Sequence, residues 1–141
     1  MANRYYKLTD AQGKTHGGMQ WGPGVTHQAT GRRTAFCSPG LIHLYDDPLL
    51  AVLLNPIHAR FTALRLWEAE ATGKVVSDHG LNFGAKVVTT LIEVPAPVIT
   101  TRQHVRFGIL CAKKVYHKPA WNSWADEWLS GKDRSEEAAW A

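Results

Sequence analysis

Leu41-Ile42-His43-Leu44-Tyr45-Asp46-Asp47-Pro48-Leu49-Leu50-Ala51-Val52-Leu53-Leu54-Asn55-Pro56 sets a polar cluster directly before a short apolar helix. Asp46 or Asp47 can accept hydrogen bonds from the first free amides, and Pro48 suits the first helical turn. The Asn55-Pro56 pair is expected to stop the run after about two turns, because a residue before proline is pushed out of the helical region. His43, Tyr45, Asp46 and Asp47 therefore gather at a helix mouth, a place where ligands are often held. No known catalytic pattern is completed there.

Working outward, the segments on either side read as strands. Tyr5 to Leu8 is a strand, Asp10 to Gly13 a turn, and Gly17 to Gly24 a loop too rich in glycine and proline to be regular, with Trp21 inside it. In Phe61 to Ala71, Leu66, Glu68 and Glu70 point one way while Trp67, Ala69 and Ala71 point the other. A turn is expected near Thr72-Gly73, a loop at Asp78-His79-Gly80, and a second long strand over Ala85 to Val94, ended by Pro95 and Pro97.

The C-terminal third is helical. Thr100 and Gln103 form a capping box before Val105 to Tyr116. Val105, Gly108, Ala112, Val115 and Tyr116 share a broad side that is expected to pack on the sheet. Pro119 restarts the chain into a helix with Trp121, Trp124, Ala125, Trp128 and Leu129 on one face, ending near Gly131; Asp133 begins a last short helix holding Trp140. The expectation is an α+β fold: one domain with a twisted, mainly antiparallel sheet, a short central helix and C-terminal helices. Residues 1–118 form the core, and 119–141 a tryptophan-rich extension packed on the core or on a partner subunit.

Composition agrees with one globular domain: 141 residues, 45% hydrophobic and 20% charged. No apolar run approaches the roughly 20 residues of a membrane span, and Met-Ala-Asn-Arg-Tyr-Tyr has no apolar signal region. A soluble, cytoplasmic protein is expected. Cys37 and Cys111 are too few for a disulfide framework. The net charge of +4 is uneven. Residues 101–119 hold Arg102, Arg106, Lys113, Lys114 and Lys118 with no acid, whereas 120–141 carry Asp126, Glu127, Asp133, Glu136 and Glu137 against Lys132 and Arg134. The acidic tail is expected to neutralise the basic helix, which weakens any argument from charge to nucleic acid.

Tyr6-Lys7-Leu8-Thr9-Asp10, Gln20-Trp21-Gly22-Pro23-Gly24-Val25-Thr26-His27, Cys37-Ser38-Pro39-Gly40 with His43, Asp47-Pro48-Leu49-Leu50-Ala51, and Trp124-Ala125 through Trp128-Leu129-Ser130-Gly131-Lys132-Asp133-Arg134-Ser135 resemble small bacteriophage and prophage proteins of unknown function. A looser likeness is to a broader phage and bacterial domain, through the tyrosine-lysine strand, the cysteine-x-x-glycine-x-x-histidine element and the acidic strand. The resemblance implies an accessory phage protein. That class includes counter-defence factors that bind a host protein or sequester a nucleotide signal.

Each chemical constellation has a plain structural counterpart. Cys37 with His43 has the residue types of a thiolate and its base, but no third group is evident, so Cys37 is read as a buried thiol. His16, His27, His43, His58, His79, His104 and His117 lack paired zinc spacing, and no metal site is expected. The glycine loop lacks the lysine and hydroxyl of a phosphate-binding loop and reads as a connector anchored by Trp21. The Glu68 and Glu70 face reads as solvated. By analogy, Lys7, Cys37-Ser38 and a strand glutamate have the order of an ADP-ribosyltransferase-like pocket, although the expected first-strand arginine or histidine is missing. Arg102, Arg106, Lys113 and His117 form a stripe able to contact phosphates, but Asp126 and Glu127 beside the tryptophans argue against nucleic acid.

The function expected from these readings is binding without chemistry. A small anionic ligand, nucleotide-derived, would be sequestered by Trp21, His43, Tyr45 and Asp47, with Arg102 or Arg106 as charge partners. The alternatives are a small enzyme acting on NAD or a related nucleotide, and inhibition of a host protein through the tryptophan helix. Trp121, Trp124 and Trp128 are expected at an interface, with a homo-oligomer as its simplest form. No cofactor and no membrane partner are expected.

Overall fold

The computed structural model describes residues 3–32 and 40–132. Contacts divide the chain into two compact units, Met1–Val98 and Ile99–Ala141. The architecture is α+β, with a five-stranded antiparallel sheet, one early helix and two C-terminal helices among the described residues.

The sheet is built on a long hairpin of β4 (Arg65–Asp78) and β5 (Asn82–Val94). Its turn places His79 and Gly80 at positive φ (53° and 74°) and is closed by the Leu81 N–H on the Asp78 carbonyl at 2.9 Å. The turn expected near Thr72-Gly73 is instead a bulge within β4. The register shifts between Thr72 and Val75, and Gly73 takes φ 82°, so one glycine absorbs the irregularity while the ladder resumes beyond it.

β1 (Arg4–Thr9) pairs with β4, setting Tyr6 opposite Glu68 and Lys7 opposite Trp67. β2 (Val25–Gln28) and β3 (Ile42–Leu44) share the other edge of β5, along Val87–Thr90 and Phe83–Ala85 respectively. Tyr6 and Tyr45 then exchange backbone hydrogen bonds of 2.7 and 3.0 Å, so β3 reaches back to β1 and the path β1–β4–β5–β3 closes on itself. The enclosed core is Tyr5, Trp21, Ile42, Leu44, Ala69, Ala85 and Val88. Neither β2 nor β3 was expected. Both are short, and their partner strand lies far along the chain.

α1 (Pro48–His58) begins as expected: Asp47 accepts from the amides of Leu49 (2.8 Å) and Leu50 (3.4 Å). It does not stop at Pro56. Proline removes only its own N–H, and Asn55 manages the end one turn later. The Asn55 carbonyl accepts from Ala59 and Arg60, and its buried side chain grips Phe61 through both amide atoms, at 2.9 and 3.0 Å. The Gly17 loop is also more regular than expected. Lys14 bridges Gln20, and Gly17-Gly18 turns the resulting small hairpin.

In the second unit, α2 (Thr101–Lys113) carries the full Thr100–Gln103 capping box, and α3 (Pro119–Ser130) ends at Gly131 with φ 85°. α2 packs on α3 through Ile109, which meets Ala125 and Trp128; Trp121, Trp124 and Leu129 cover this cluster. The side expected to pack, around Val105, Val115 and Tyr116, is exposed. α2 also ends at Lys113, earlier than the expected Tyr116. Lys113 pairs with Asp126, as the charge pattern implied. Among the described residues no helix is long and apolar enough to cross a membrane. The short helix expected from Asp133, with Trp140, lies outside the described residues.

Gly84, opposite His43, is where Leu41 folds over the sheet. A Cβ built there would lie 2.7 Å from Leu41 Cδ1 and 3.1 Å from its Cβ. Gly84→Ala is expected to destabilise the protein by about 1–3 kcal/mol through this overlap, read from the midpoint of urea denaturation.

Candidate functional site

A cleft of about 900 Å³ opens in the first unit. Its described lining comes from β1 (Lys7, Leu8), the small hairpin (Thr15 to Met19), the end of β2 (His27, Ala29, Thr30), β3 and its continuation (Leu41 to His43, Tyr45), and the end of α1 with its turn (His58, Ala59, Phe61). Five of these side chains can carry positive charge: Lys7, His16, His27, His43 and His58. No aspartate or glutamate is among them.

Lys7 is the innermost of the five. It sits on the inward face of β1 with Tyr5 and Thr9, keeps 9% of its surface exposed, and donates from Nζ to the His43 carbonyl at 2.9 Å. Its ammonium also lies 5.7 Å from the centre of the Trp21 ring. Burial disfavours the charged form and lowers its pKa to about 8. A carbonyl and an aromatic face satisfy a proton without neutralising the charge.

The histidines line the walls above it. His43 is half-buried, and its pKa is lowered first by burial, then by the charges of Lys7 and His58, with Asp78 opposing. His58 stacks on Tyr45 and shares a 2.7 Å hydrogen bond between Nδ1 and the phenol. Burial raises the Tyr45 pKa to about 12, so the phenol keeps its proton, and the His58 tautomer sets which partner donates. His27 Nε2 meets the Gln20 carbonyl at 2.6 Å and His16 Nε2 the Ala59 carbonyl at 3.1 Å. A carbonyl can only accept, so both rings carry hydrogen on Nε2. His16 also stacks on Phe61 with ring centres 5.4 Å apart.

The expected site residues are distributed unevenly. His43 and Tyr45 line the cleft. Trp21 lies in the core beside it, 3% exposed, with its indole N–H on Thr15 Oγ1 at 3.2 Å. Asp47 caps α1. Arg102 and Arg106 belong to α2 in the second unit, where Arg106 donates to the Leu129 carbonyl at 3.3 Å. Trp128 is buried in the α2–α3 cluster, and Trp121 and Trp124 are half-buried against it. Cys37 and Ser38 lie outside the described residues. Glu68 shares the face of Tyr6, away from Lys7, and pairs with Arg4 at 3.5 Å. Sequence reasoning gave Lys7 a role only in the transferase analogy, and it left out His16, His27, His58 and Phe61. One signal was available for Lys7: a cation between Tyr5 and Thr9 on an alternating strand whose side chains turn inward.

Among the described residues no three His, Cys, Asp or Glu side chains converge to hold a metal ion. No family model, no curated protein and no solved structure matches the chain.

The burial of Lys7 has a thermodynamic sign. Between its folded pKa of about 8 and its ordinary value of 10.5, the unfolded chain holds a proton that the folded one has lost, so stability rises with pH across this window. Below about pH 8 the desolvation cost is fully present. Lys7→Met is expected to stabilise the protein by about 2 kcal/mol near neutral pH, with the gain shrinking toward pH 10.5, measured by urea denaturation at both ends.

Proposed function

We propose that the first unit is a binding module that captures a small anionic ligand of the nucleotide class and releases it unchanged. The observation that supports this is the makeup of the cleft: Lys7 and four histidines with no carboxylate among its described lining residues. An anion entering such a site meets the remaining N–H donors of Lys7 and favours the charged forms of Lys7 and His43, which burial disfavours. A volume of about 900 Å³ is in the range of nucleotide-sized sites, and the His16–Phe61 stack offers a flat surface for a base. Sequestration of a nucleotide signal in phage counter-defence is the setting that the sequence resemblance implies for this activity.

Two measurements test the reading. The protein is incubated with a panel of nucleotides, washed, denatured, and the released material weighed by mass spectrometry. Retention of an intact nucleotide that also raises the melting temperature supports capture, with about 2.7 kcal/mol expected at a hundredfold excess over Kd. A cleaved product overturns release unchanged, and the absence of any shift overturns binding.

The second uses sulfate, whose charge is constant between about pH 6 and pH 9. Anion binding favours protonated Lys7 and His43, so sulfate stabilisation is expected to grow as pH falls through this range. Lys7→Met should lose the Lys7 part of that growth, centred near pH 8, and keep the rest.

A further inference from the structure

Lys7 is buried, lines a cleft large enough for a ligand, and has as partners a backbone carbonyl and an aromatic ring. Among the described residues no carboxylate pairs with it, so nothing there holds its amine as a permanent ammonium. One further group able to move a proton lies within electrostatic reach: His43, whose carbonyl receives the Lys7 hydrogen bond and whose ring feels the Lys7 charge. A desolvated amine of this kind, with an acid–base group beside it, is the arrangement in which lysine acts as a nucleophile.

We propose that Lys7 captures an aldehyde-bearing anion as a reversible imine. The inference rests on the anion-binding reading and adds a covalent bond to it. The neutral amine of Lys7 attacks the carbonyl carbon with its lone pair, and the carbonyl π pair moves to oxygen. The nitrogen gives up a proton and the oxygen takes one, leaving a carbinolamine. A second proton on that oxygen, passed by His43, lets it depart as water while the nitrogen lone pair forms the C=N bond. The nitrogen then returns its remaining excess proton to the imidazole. Amine and aldehyde become imine and water with no oxidant or reductant, and addition of water reverses the step and releases the ligand intact. The other cleft histidines, His16 and His27, hold the anionic end.

The lowered pKa of Lys7 supports this chemistry, because near pH 8 about half of its amine is free, whereas a lysine at the ordinary value keeps well under a hundredth free. The test uses the full chain with pyridoxal 5′-phosphate, which carries an aldehyde and a phosphate, under cyanoborohydride, with modified peptides located by mass spectrometry. Lys7 is expected to be labelled at least about tenfold faster than the exposed Lys14 and Lys74 near pH 8. Sulfate should slow that labelling, and pyridoxal, which lacks the phosphate, should label Lys7 about tenfold more slowly. Labelling of Lys7 no faster than of Lys14 and Lys74 overturns the proposal, and needs no variant to be interpreted.

Lys7→Arg separates the two readings. It keeps a positive charge but cannot form the imine, so it should retain sulfate stabilisation and lose the adduct. Sulfate stabilisation without Lys7 labelling in the unmodified protein defeats the imine and leaves the anion site standing. Absence of both defeats both.

Discussion

Two backbone hydrogen bonds between Tyr6 and Tyr45 make the sheet an enclosure rather than a ribbon. Among the described residues the ladder otherwise pairs β1 with β4, and β3 with three residues of β5. Once Tyr45 meets Tyr6, the inward faces of four strands converge, and water is excluded from the space between them. Tyr5, Ile42, Leu44, Ala69 and Ala85 fill it with apolar surface. The same closure brings the end of β3 over Lys7 and puts Tyr45 against His58 at the end of α1. The bulge at Gly73 lets β4 bend without losing its ladder, so β5 stays paired along both halves of the hairpin.

Placing a lysine inside this enclosure works against stability, since a buried ammonium loses hydration that a carbonyl and a ring only partly replace. The surroundings share the same bias. His43 is disfavoured as an imidazolium by burial and by the charges of Lys7 and His58, while Tyr45 is held as a phenol. Burial pushes all three toward their neutral forms, and a nearby negative charge would favour the charged forms of Lys7 and His43 alone. Perturbed groups of this kind cluster at functional sites, which is the ground of the proposed binding role.

How much could be read beforehand follows the range of the interactions. Helix ends were legible because capping is local: Asp47 reaches amides two and three residues ahead, Thr100 and Gln103 satisfy one another, and Gly131 supplies the left-handed end of α3. Pro56 misled for a related reason. Its own effect is local, but the continuation of α1 depends on the buried Asn55 gripping Phe61. β2 and β3 were not legible. Four and three residues carry too little pattern, and what makes them strands is β5, more than 40 residues further along from β2. Thr72-Gly73 has turn chemistry, and only the pairing with β5 before and after it makes it a bulge.

For the candidate site the same division holds. His43 and Tyr45 stood out in the sequence because they precede a capped helix, and Asp47 was explained by the cap itself. By itself the sequence determined the helix boundaries at Thr100 and Gly131, a cap at Asp46 or Asp47, and the α+β class, because these rest on neighbours within a turn or on summed composition. Tertiary structure decided that Lys7 faces inward under the His43 carbonyl and that four histidines from separate segments share one cleft. That choice depends on strand register and on the closure through Tyr6 and Tyr45, and register is set by pairing between distant residues.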